Sequence, residues 1–289
     1  MHIPVLLNEV IECLDPKPNE NFIDCTLSAG GHAKEILKKT KPNGKVLGIE
    51  LDEQIYKDIK KQNIGRLVAI NDSYANLKRI AEENNFGNAD GILFDLGMSS
   101  WHVDESGKGF SFKTNEPLIM SYSGKEKTAE EIINNYSEEK LEKIIREYGE
   151  ENFSRKIAKK IVEARRLRPI KTTFQLTEII RQATPAAYHR QKLHFATRTF
   201  QAIRIDVNGE IENLINALPQ AIETLKQGGR LAIISFHSIE DRVAKNFFRE
   251  REKNNEIKIL TKKPIIPSEK EIESNPRARS SKLRAIIKL

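Results

Sequence analysis

The chain has 289 residues, of which 48 are Lys or Arg and 41 are Asp or Glu, giving a net charge of +7 and a pI near 9.2. This length predicts one large or two moderate domains. A hydrophobic content of 38% with only 15 Gly and 11 Pro excludes wholesale disorder and collagen-like sequence. The two cysteines, Cys13 and Cys25, allow neither a disulfide framework nor a Cys-x-x-Cys metal site, so we expect a cytoplasmic chain.

The first residues contain a short apolar run that lacks a leading basic cluster and is interrupted by Asn8, Glu9 and Glu12. This pattern fits neither a signal peptide nor a membrane span, so we expect no membrane partner. We also predict no resident metal, because the sequence shows no cluster of metal ligands. The net positive charge permits an acidic partner such as nucleic acid without proving one.

The first third of the sequence alternates strand-like and helix-like segments, with strands predicted at residues 21–27, 45–51, 66–71 and 91–97. These strands are rich in Ile, Leu, Val and Phe and lack strict polar alternation, which is typical of a parallel sheet buried on both faces. An open α/β sheet binds ligands at the carboxyl ends of its strands.

From about residue 106 the apolar residues recur at three- and four-residue spacing, which predicts helices, and strand-like sequence returns at residues 228–238. Residues 256–261 and 282–289 are expected to form a pair of edge strands. The sequence therefore predicts one α/β domain interrupted by a helical insertion, with residues 1–105 and 200–289 in the sheet domain and 106–199 in the insertion.

The sharpest local signal is DCTLSAGGH, where the first strand ends and a helix begins. Gly30 and Gly31 let the backbone approach a ligand, although a tight turn without any ligand has the same pattern. Glu50 lies 20 residues after Gly30, where an acidic side chain accepts hydrogen bonds from ribose hydroxyls. The alternatives are an exposed carboxylate at Glu50 and, for the neighbouring Asp52, a cap for the helix that begins at Glu53.

Asp95 and His237 each follow a predicted buried strand, in FDLGMSS and ISFHSIEDR. A carboxylate beside a core is costly unless it meets a donor, so Asp95 is the best candidate for contacting a substrate. The alternative is an Asp that accepts backbone N–H groups in its own turn. His237 would orient a base or take up a proton, but a histidine hydrogen-bonded for structural reasons has the same position.

Six segments in chain order carry a family resemblance: DCTLSAGGH, FDLGMSS, GKGFSF, HFATRTFQAIRIDVN, GGRLAIISFHSIEDR and NPRARSSKLR. They resemble the signature segments of the RsmH (MraW) family, methyltransferases that use S-adenosylmethionine to methylate N4 of one cytidine in 16S rRNA. The resemblance implies a class I, Rossmann-like methyltransferase sheet with an inserted all-helical domain that contacts RNA. It also implies the cofactor contacts Gly30, Gly31, His32, Glu50, Tyr74, Asp95 and His102.

Taken without the family, Tyr74 would be a packing aromatic and His102 an ordinary polar loop residue. Two departures from the family pattern stand out. Ser28 replaces a common loop glycine, which at a positive φ would cost on the order of 1 kcal/mol. Ile119 and Ser121 stand where members commonly have Asp and Arg.

Methyl transfer is an in-line displacement in which the enzyme mainly positions the nucleophile. The resemblance makes Asp95, or the backbone carbonyls of its turn, the acceptor for the N4 hydrogens, with His237 as a second catalytic candidate. The target base must leave its stack, and Phe110 and Phe112 are predicted to form a mobile flank of its pocket.

Two basic regions are expected to contact RNA phosphates: eight Lys or Arg against one acid in residues 155–171, and five against none in residues 275–289. Solvated charged surface is the alternative. The predicted RNA-binding residues are Arg198, Arg204, Arg277, Arg279 and Lys282. Phe195 and Phe200 would either stack on bases or belong to the core.

These expectations favour N4-methylation of a cytidine in 16S rRNA, with 16S rRNA or the small ribosomal subunit as partner and S-adenosylmethionine as methyl donor. Two alternatives stay open. One is a catalytically impaired RNA-binding assembly factor of the ribosome, and the other a small-molecule methyltransferase on the same fold. The oligomeric state is not predicted.

Overall fold

The computed structural model describes residues 4–124 and 127–289. The chain divides into two compact units, one that ends at Gly97 and resumes at Ile211, and another that runs from Met98 to Glu210. The sequence placed these boundaries after residues 105 and 199. The second differs because Thr197–Asn208 is one helix whose Phe200 and Val207 both belong to the core of the second unit.

In the described residues the first unit contains a seven-stranded sheet. Its strands are β1 (Phe22–Asp24), β2 (Val46–Glu50), β3 (Leu67–Asn71), β4 (Ala89–Asp95), β5 (Leu225–Ser235), β6 (Ile257–Ile259) and β7 (Lys282–Lys288). The order is β3-β2-β1-β4-β5-β7-β6, and β7 pairs antiparallel with both of its neighbours while β1 to β5 pair in parallel. The predicted class I, Rossmann-like fold is confirmed.

The helices, numbered in chain order, are α1 (Leu7–Leu14), α2 (Gly31–Lys39), α3 (Glu53–Lys61), α4 (Leu77–Glu83), α5 (Ser100–Asp104), α6 (Ala129–Asn135), α7 (Glu138–Glu147), α8 (Ser154–Leu167), α9 (Thr173–Ala183), α10 (Thr197–Asn208), α11 (Glu210–Thr224), α12 (Ser238–Lys253) and α13 (Glu269–Ser274). Three 3-10 turns cover Tyr74–Asn76, Tyr188–Arg190 and Pro276–Ser280. None of the helices in the described ranges is long and apolar enough to cross a membrane.

Successive residues of the central strands enter two different apolar cores, as expected for a sheet covered on both faces. Ile92 and Phe94 pack in a core that includes residues of α4, α11 and α12. Leu93 between them packs in a second core that includes residues of α1, α2 and α3. The lack of polar alternation in β4 therefore follows from burial on both sides.

The regular elements of the second unit are helices, and its described residues also contain one isolated bridge between Pro117 and Thr172. Several of its helices begin at a Ser or Thr whose side chain accepts a backbone N–H of the first turn, among them Thr128 before α6 and Thr172 before α9. Phe110, predicted as a mobile flank of a base pocket, is only 8% exposed and stacks on Tyr122 in the core. Phe195 and Phe200 are also core residues.

Candidate functional site

The carboxyl ends of β1, β2 and β4 place three carboxylates, Asp24, Glu50 and Asp95, at one edge of the sheet. The loop after β1 links them. The Asp95 N–H donates to Thr26 Oγ1 at 2.6 Å, and the Thr26 N–H donates to Asp24 Oδ1 at 3.1 Å. This loop therefore connects the ends of β1 and β4.

The same loop contains the predicted glycine turn. Ser28 has φ 47° and Gly30 has φ 74°, so both lie in the left-handed region. Ser28 therefore does occupy a backbone conformation that is costly for a residue with a side chain. A Cβ on Gly30 would lie 2.9 Å from Ile59 Cδ1, and one on Gly31 would lie 2.4 Å from Pro4 Cγ. Larger residues would thus change the path of the backbone before α2.

Glu50 is buried and accepts two backbone hydrogen bonds, from Ser28 N–H at 2.9 Å and from Asp52 N–H at 2.8 Å. Burial raises the pKa of its carboxyl to about 7, against the opposing effect of these two hydrogen bonds. Asp52 caps α3 by accepting the N–H groups of Gln54 and Ile55. Asp52 is therefore the helix cap that the sequence offered as an alternative. Glu50 is not the exposed carboxylate that was its alternative.

Asp95 ends β4, and its Oδ1 is buried without a hydrogen-bond partner among the described residues. Burial raises the pKa of its carboxyl to about 7, and the charge of Glu240 adds to this, whereas a hydrogen bond from the Gly97 backbone opposes it. A buried acceptor that lacks a donor is unusual in a folded protein and marks a place where a ligand can supply one.

Asp24 was not singled out from the sequence, although it obeys the same rule as Asp95, a carboxylate at the end of a buried strand. It is 1% exposed, and burial raises its pKa to about 6 despite the opposing hydrogen bond from the Thr26 N–H. Its position between a strand and a polar turn was the available signal.

His32 lies in the first turn of α2, where its Nε2 contacts the Val5 carbonyl oxygen at 3.0 Å. Burial lowers the pKa of this imidazole, so it is neutral at pH 7 with the proton on Nε2. Its Nδ1 lies 3.7 Å from Asp95 Oδ2, which is too long for a hydrogen bond and, with a neutral ring, is no ion pair. The ring thus stands beside the carboxylate edge and ties α2 to Val5.

Tyr74 begins the 3-10 turn that follows β3. Its ring meets Phe94 of β4 edge-on, with centroids 5.5 Å apart, and remains partly exposed. The packing role expected without the family is thus present, and an aromatic surface remains next to the strand ends.

His237 is the N-cap of α12. Its Nδ1 accepts the Glu240 N–H at 3.4 Å, while Glu240 Oε2 accepts the Phe236 N–H at 2.8 Å. This is a reciprocal capping arrangement. The catalytic role of His237 stays a prediction.

The other predicted residues, His102, Arg198 and Arg204, belong to the second unit. His102 is 5% exposed, with its Nδ1 2.8 Å from Ser99 Oγ and its ring 4.8 Å from that of Tyr122. Arg204 donates twice to Glu210, at 2.8 Å each, and its contact with an RNA phosphate stays a prediction. Arg198 donates to the Glu150 carbonyl oxygen.

The basic residues of the C-terminal segment divide into two groups. Arg284 pairs with Asp241 at 2.6 Å, and Lys288 donates to the carbonyl oxygens of Ile222 and Leu225, so both stabilise the fold. Arg277 and Arg279 are exposed in the 3-10 turn Pro276–Ser280. Lys282 begins β7 and is 40% exposed.

Comparison with known proteins gives a family for the whole chain. A model described as the MraW methylase family matches residues 1–289. The Ribosomal RNA small subunit methyltransferase H of Clostridium botulinum (strain Okra / Type B1) is 46% identical over 306 residues, covering 100% of this chain and 99% of that protein. The proteins of the same name from Halothermothrix orenii and Carboxydothermus hydrogenoformans are 43% and 42% identical, covering 98% and 100% of this chain and 97% and 98% of their own lengths. The chain therefore belongs to the MraW methylase family.

Proposed function

We propose that this protein, an S-adenosylmethionine-dependent ribosomal RNA methyltransferase, methylates N4 of a cytidine in the 16S RNA of the small ribosomal subunit. The family and the printed name of the relatives support the reaction and the class of RNA. Within this chain, the observation that supports a site for an amino nucleophile is the unpartnered Oδ1 of Asp95 at the end of β4.

The carboxylate edge fits S-adenosylmethionine on the chemistry of its donors and acceptors. When bound, this cofactor supplies an electrophilic methyl group on a sulfonium sulfur. Glu50 keeps lone pairs beyond those used by its two backbone donors, and these would accept ribose hydroxyls. Gly30, with φ 74°, takes the left-handed conformation that leads the loop into α2, and the partly exposed ring of Tyr74 would lie against the adenine.

Asp95 would act on the nucleophile. The lone pair of a cytosine amino nitrogen is delocalised into the ring, and a carboxylate that accepts an N4–H hydrogen bond localises it on nitrogen. Only the ionised carboxylate accepts both hydrogens, so the raised pKa of Asp95 predicts that methyl transfer increases as the pH rises through about 7. The hydrogen bond from the Asp95 N–H to Thr26 Oγ1 also holds Asp95 beside the glycine loop.

We also propose that His32 and His102 contact the cofactor and that His237 takes part in catalysis, although each ring also has a contact within the protein. For the RNA, we propose that Arg198, Arg277, Arg279, Lys282 and the exposed basic residues of α8 neutralise phosphates, which makes binding fall with salt. We propose a cytoplasmic location, where small ribosomal subunits are available.

The test is methyl transfer from tritiated S-adenosylmethionine to small ribosomal subunits, and separately to naked 16S rRNA, taken from cells that lack this enzyme. N4-methylcytidine in the digested RNA, mapped to one position, is the expected result. A label on another atom, or on no RNA at all, would contradict it. RNA binding without S-adenosylmethionine binding in calorimetry would favour the assembly-factor alternative.

A further inference from the structure

A second concave site lies in the first unit, beyond the carboxyl end of β5. Its volume is about 320 Å³, at the lower end for small-molecule sites. It is lined by the N-terminal end of α12, by residues 279–282 around the start of β7, and by the segment at Ile266. Because β7 runs antiparallel to β5, its first residue stands beside Ser235, the last residue of β5.

Two buried polar atoms of the pocket-lining residues lack hydrogen-bond partners in the described chain: His237 Nε2 and Ser281 Oγ. The His237 side chain is 7% exposed and Ser281 is 1% exposed. Since Nδ1 of His237 accepts the Glu240 N–H, the other ring nitrogen, Nε2, carries the N–H. Nε2 is 3.2 Å from Glu240 Oε1, so this nitrogen faces a carboxylate, and Ser281 Oγ is the buried donor that remains for a ligand of the pocket.

The charges around the pocket favour an anion. Arg279 is exposed and has no carboxylate partner among the described residues, and Lys282 Nζ is 3.9 Å from Asp241 Oδ2, beyond hydrogen-bond range. Asp241 is itself neutralised by Arg284 at 2.6 Å.

These groups share one property, which is that they donate hydrogen bonds. The Arg279 guanidinium and the Lys282 ammonium have no acceptor to offer, and the Ser281 hydroxyl can donate. Glu240 is turned towards His237 Nε2 and the backbone N–H groups of Phe236 and His237. A concave set of donors selects an oxyanion such as a phosphate.

We propose that this pocket binds one backbone phosphate of the RNA substrate, close to the nucleotide that is methylated; the proposal rests on the function proposed above. The connection to the reaction site is short. Phe236 lines the pocket and also packs on Gly97, two residues after Asp95, where a Cβ would lie 2.6 Å from its ring. Ile266, 65% exposed at the pocket, offers apolar surface to a sugar or base, which a free phosphate would not use.

The experiment compares Ser281→Ala and Arg279→Gln with two matched controls. Thr40→Val removes another fully buried, unpartnered hydroxyl, and Arg249→Gln removes another exposed arginine of the same unit, both away from the pocket. The probe is a fluorescein-labelled oligoribonucleotide that spans the methylated cytidine. We expect each pocket variant to weaken RNA binding about tenfold, and Arg279→Gln to lower the salt slope by about one. The controls should change affinity less than about twofold.

A series of oligonucleotides with one uncharged methylphosphonate linkage each identifies the phosphate. One linkage should weaken binding to the wild type and have no further effect in Arg279→Gln. The proposal would be overturned if Ser281→Ala and Thr40→Val bound the RNA with equal affinity. It would also be overturned if the wild type did not bind the RNA. A third contrary outcome is that Arg279→Gln weakens the binding of inorganic phosphate but not the binding of RNA. The pocket would then be a site for free phosphate.

The proposed function is measured separately on the same proteins. S-adenosylmethionine affinity in calorimetry should be equal in all five proteins, because no substituted residue lies at the carboxylate edge. Wild-type methyl transfer combined with unchanged RNA affinity of the pocket variants would reject the phosphate site alone. Absence of methyl transfer with weakened RNA binding in those variants would reject the proposed reaction and keep the site.

Discussion

Two regions at the same edge of the sheet have opposite chemistry. The edge at β1, β2 and β4 collects the acids Asp24, Glu50 and Asp95, all with raised pKa values. The pocket beyond β5 collects donors, among them Arg279 and Ser281. The difference follows from strand direction: the acids end parallel strands, whereas the donors precede β7, which runs the other way and so begins at this edge.

The antiparallel strand β7 therefore lets a single sheet edge present two kinds of site. The acids suit the hydroxyls and positive charge of S-adenosylmethionine, and the donors suit a phosphate. If this division is correct, substitutions among the acids should change cofactor binding and methyl transfer, while those in the pocket change RNA binding.

The largest effect is expected for Asp95→Ala. Removal of the acceptor for N4 should lower kcat for methyl transfer by about 100-fold or more. The thermal unfolding midpoint should fall little, because the lost hydrogen bond from Gly97 is offset by removal of a buried carboxylate whose Oδ1 has no partner among the described residues. Steady-state kinetics with small subunits lacking the methyl group measures this. Asp95→Asn, which keeps one carbonyl oxygen, serves as the matched control, and full activity of Asp95→Ala would end the assignment of Asp95.

Glu50 is expected to act on the cofactor alone. Glu50→Ala should weaken S-adenosylmethionine binding by about tenfold or more, through loss of charged hydrogen bonds. Since it also leaves the Ser28 and Asp52 N–H groups without their acceptor, Glu50→Gln is the better-folded companion. Calorimetry of both variants beside the wild type gives the result; wild-type affinity in both would place the ribose elsewhere.

The acids also predict a dependence on pH. Burial raises the pKa values of Asp95 and Glu50 to about 7 in the folded state, so between roughly pH 4 and pH 7 the folded protein binds more protons than the unfolded one. Stability of the cofactor-free protein should therefore fall as the pH rises through this window, by about 1 kcal/mol or more, which is ~2–4 °C in Tm.

Thermal unfolding between about pH 5 and pH 8 measures this dependence, and Glu50→Gln with Asp95→Asn should flatten it. Calorimetry near pH 7 in two buffers of different ionisation enthalpy should show proton release when S-adenosylmethionine binds, because the site then needs ionised carboxylates. A Tm that rises over the same window would contradict the burial argument.

The smallest effect is expected at Ser28. The left-handed backbone at Ser28, φ 47°, favours glycine, so Ser28→Gly removes backbone strain from the folded state. Glycine also raises the entropy of the unfolded chain, which offsets part of this gain, and the net stabilisation should be ~0.5 kcal/mol. Chemical denaturation measures this, with S-adenosylmethionine affinity as the second reading. A destabilised variant would mean that the Ser28 side chain has a role that its backbone does not reveal.

The sequence alone determined that the first strands of the sheet run parallel, since segments such as GILF in β4 have no polar face to expose. It also placed Glu50 and Asp95 at strand ends. It determined the family as well, because the signature segments are local. It did not separate Arg284 and Lys288, which bond within the fold, from Arg279, which is exposed and pairs with no carboxylate of the described residues.

Only the tertiary structure decided these assignments. A charge run has the same letters whether its side chains meet a carboxylate, a carbonyl or solvent, and those partners lie far away in sequence, as Asp241 does from Arg284. The same holds for His237, which became a helix cap, and for Ser281, a hydroxyl that is buried without a partner. Strand ends follow from hydrophobic pattern, but hydrogen-bond satisfaction depends on contacts that only folding creates.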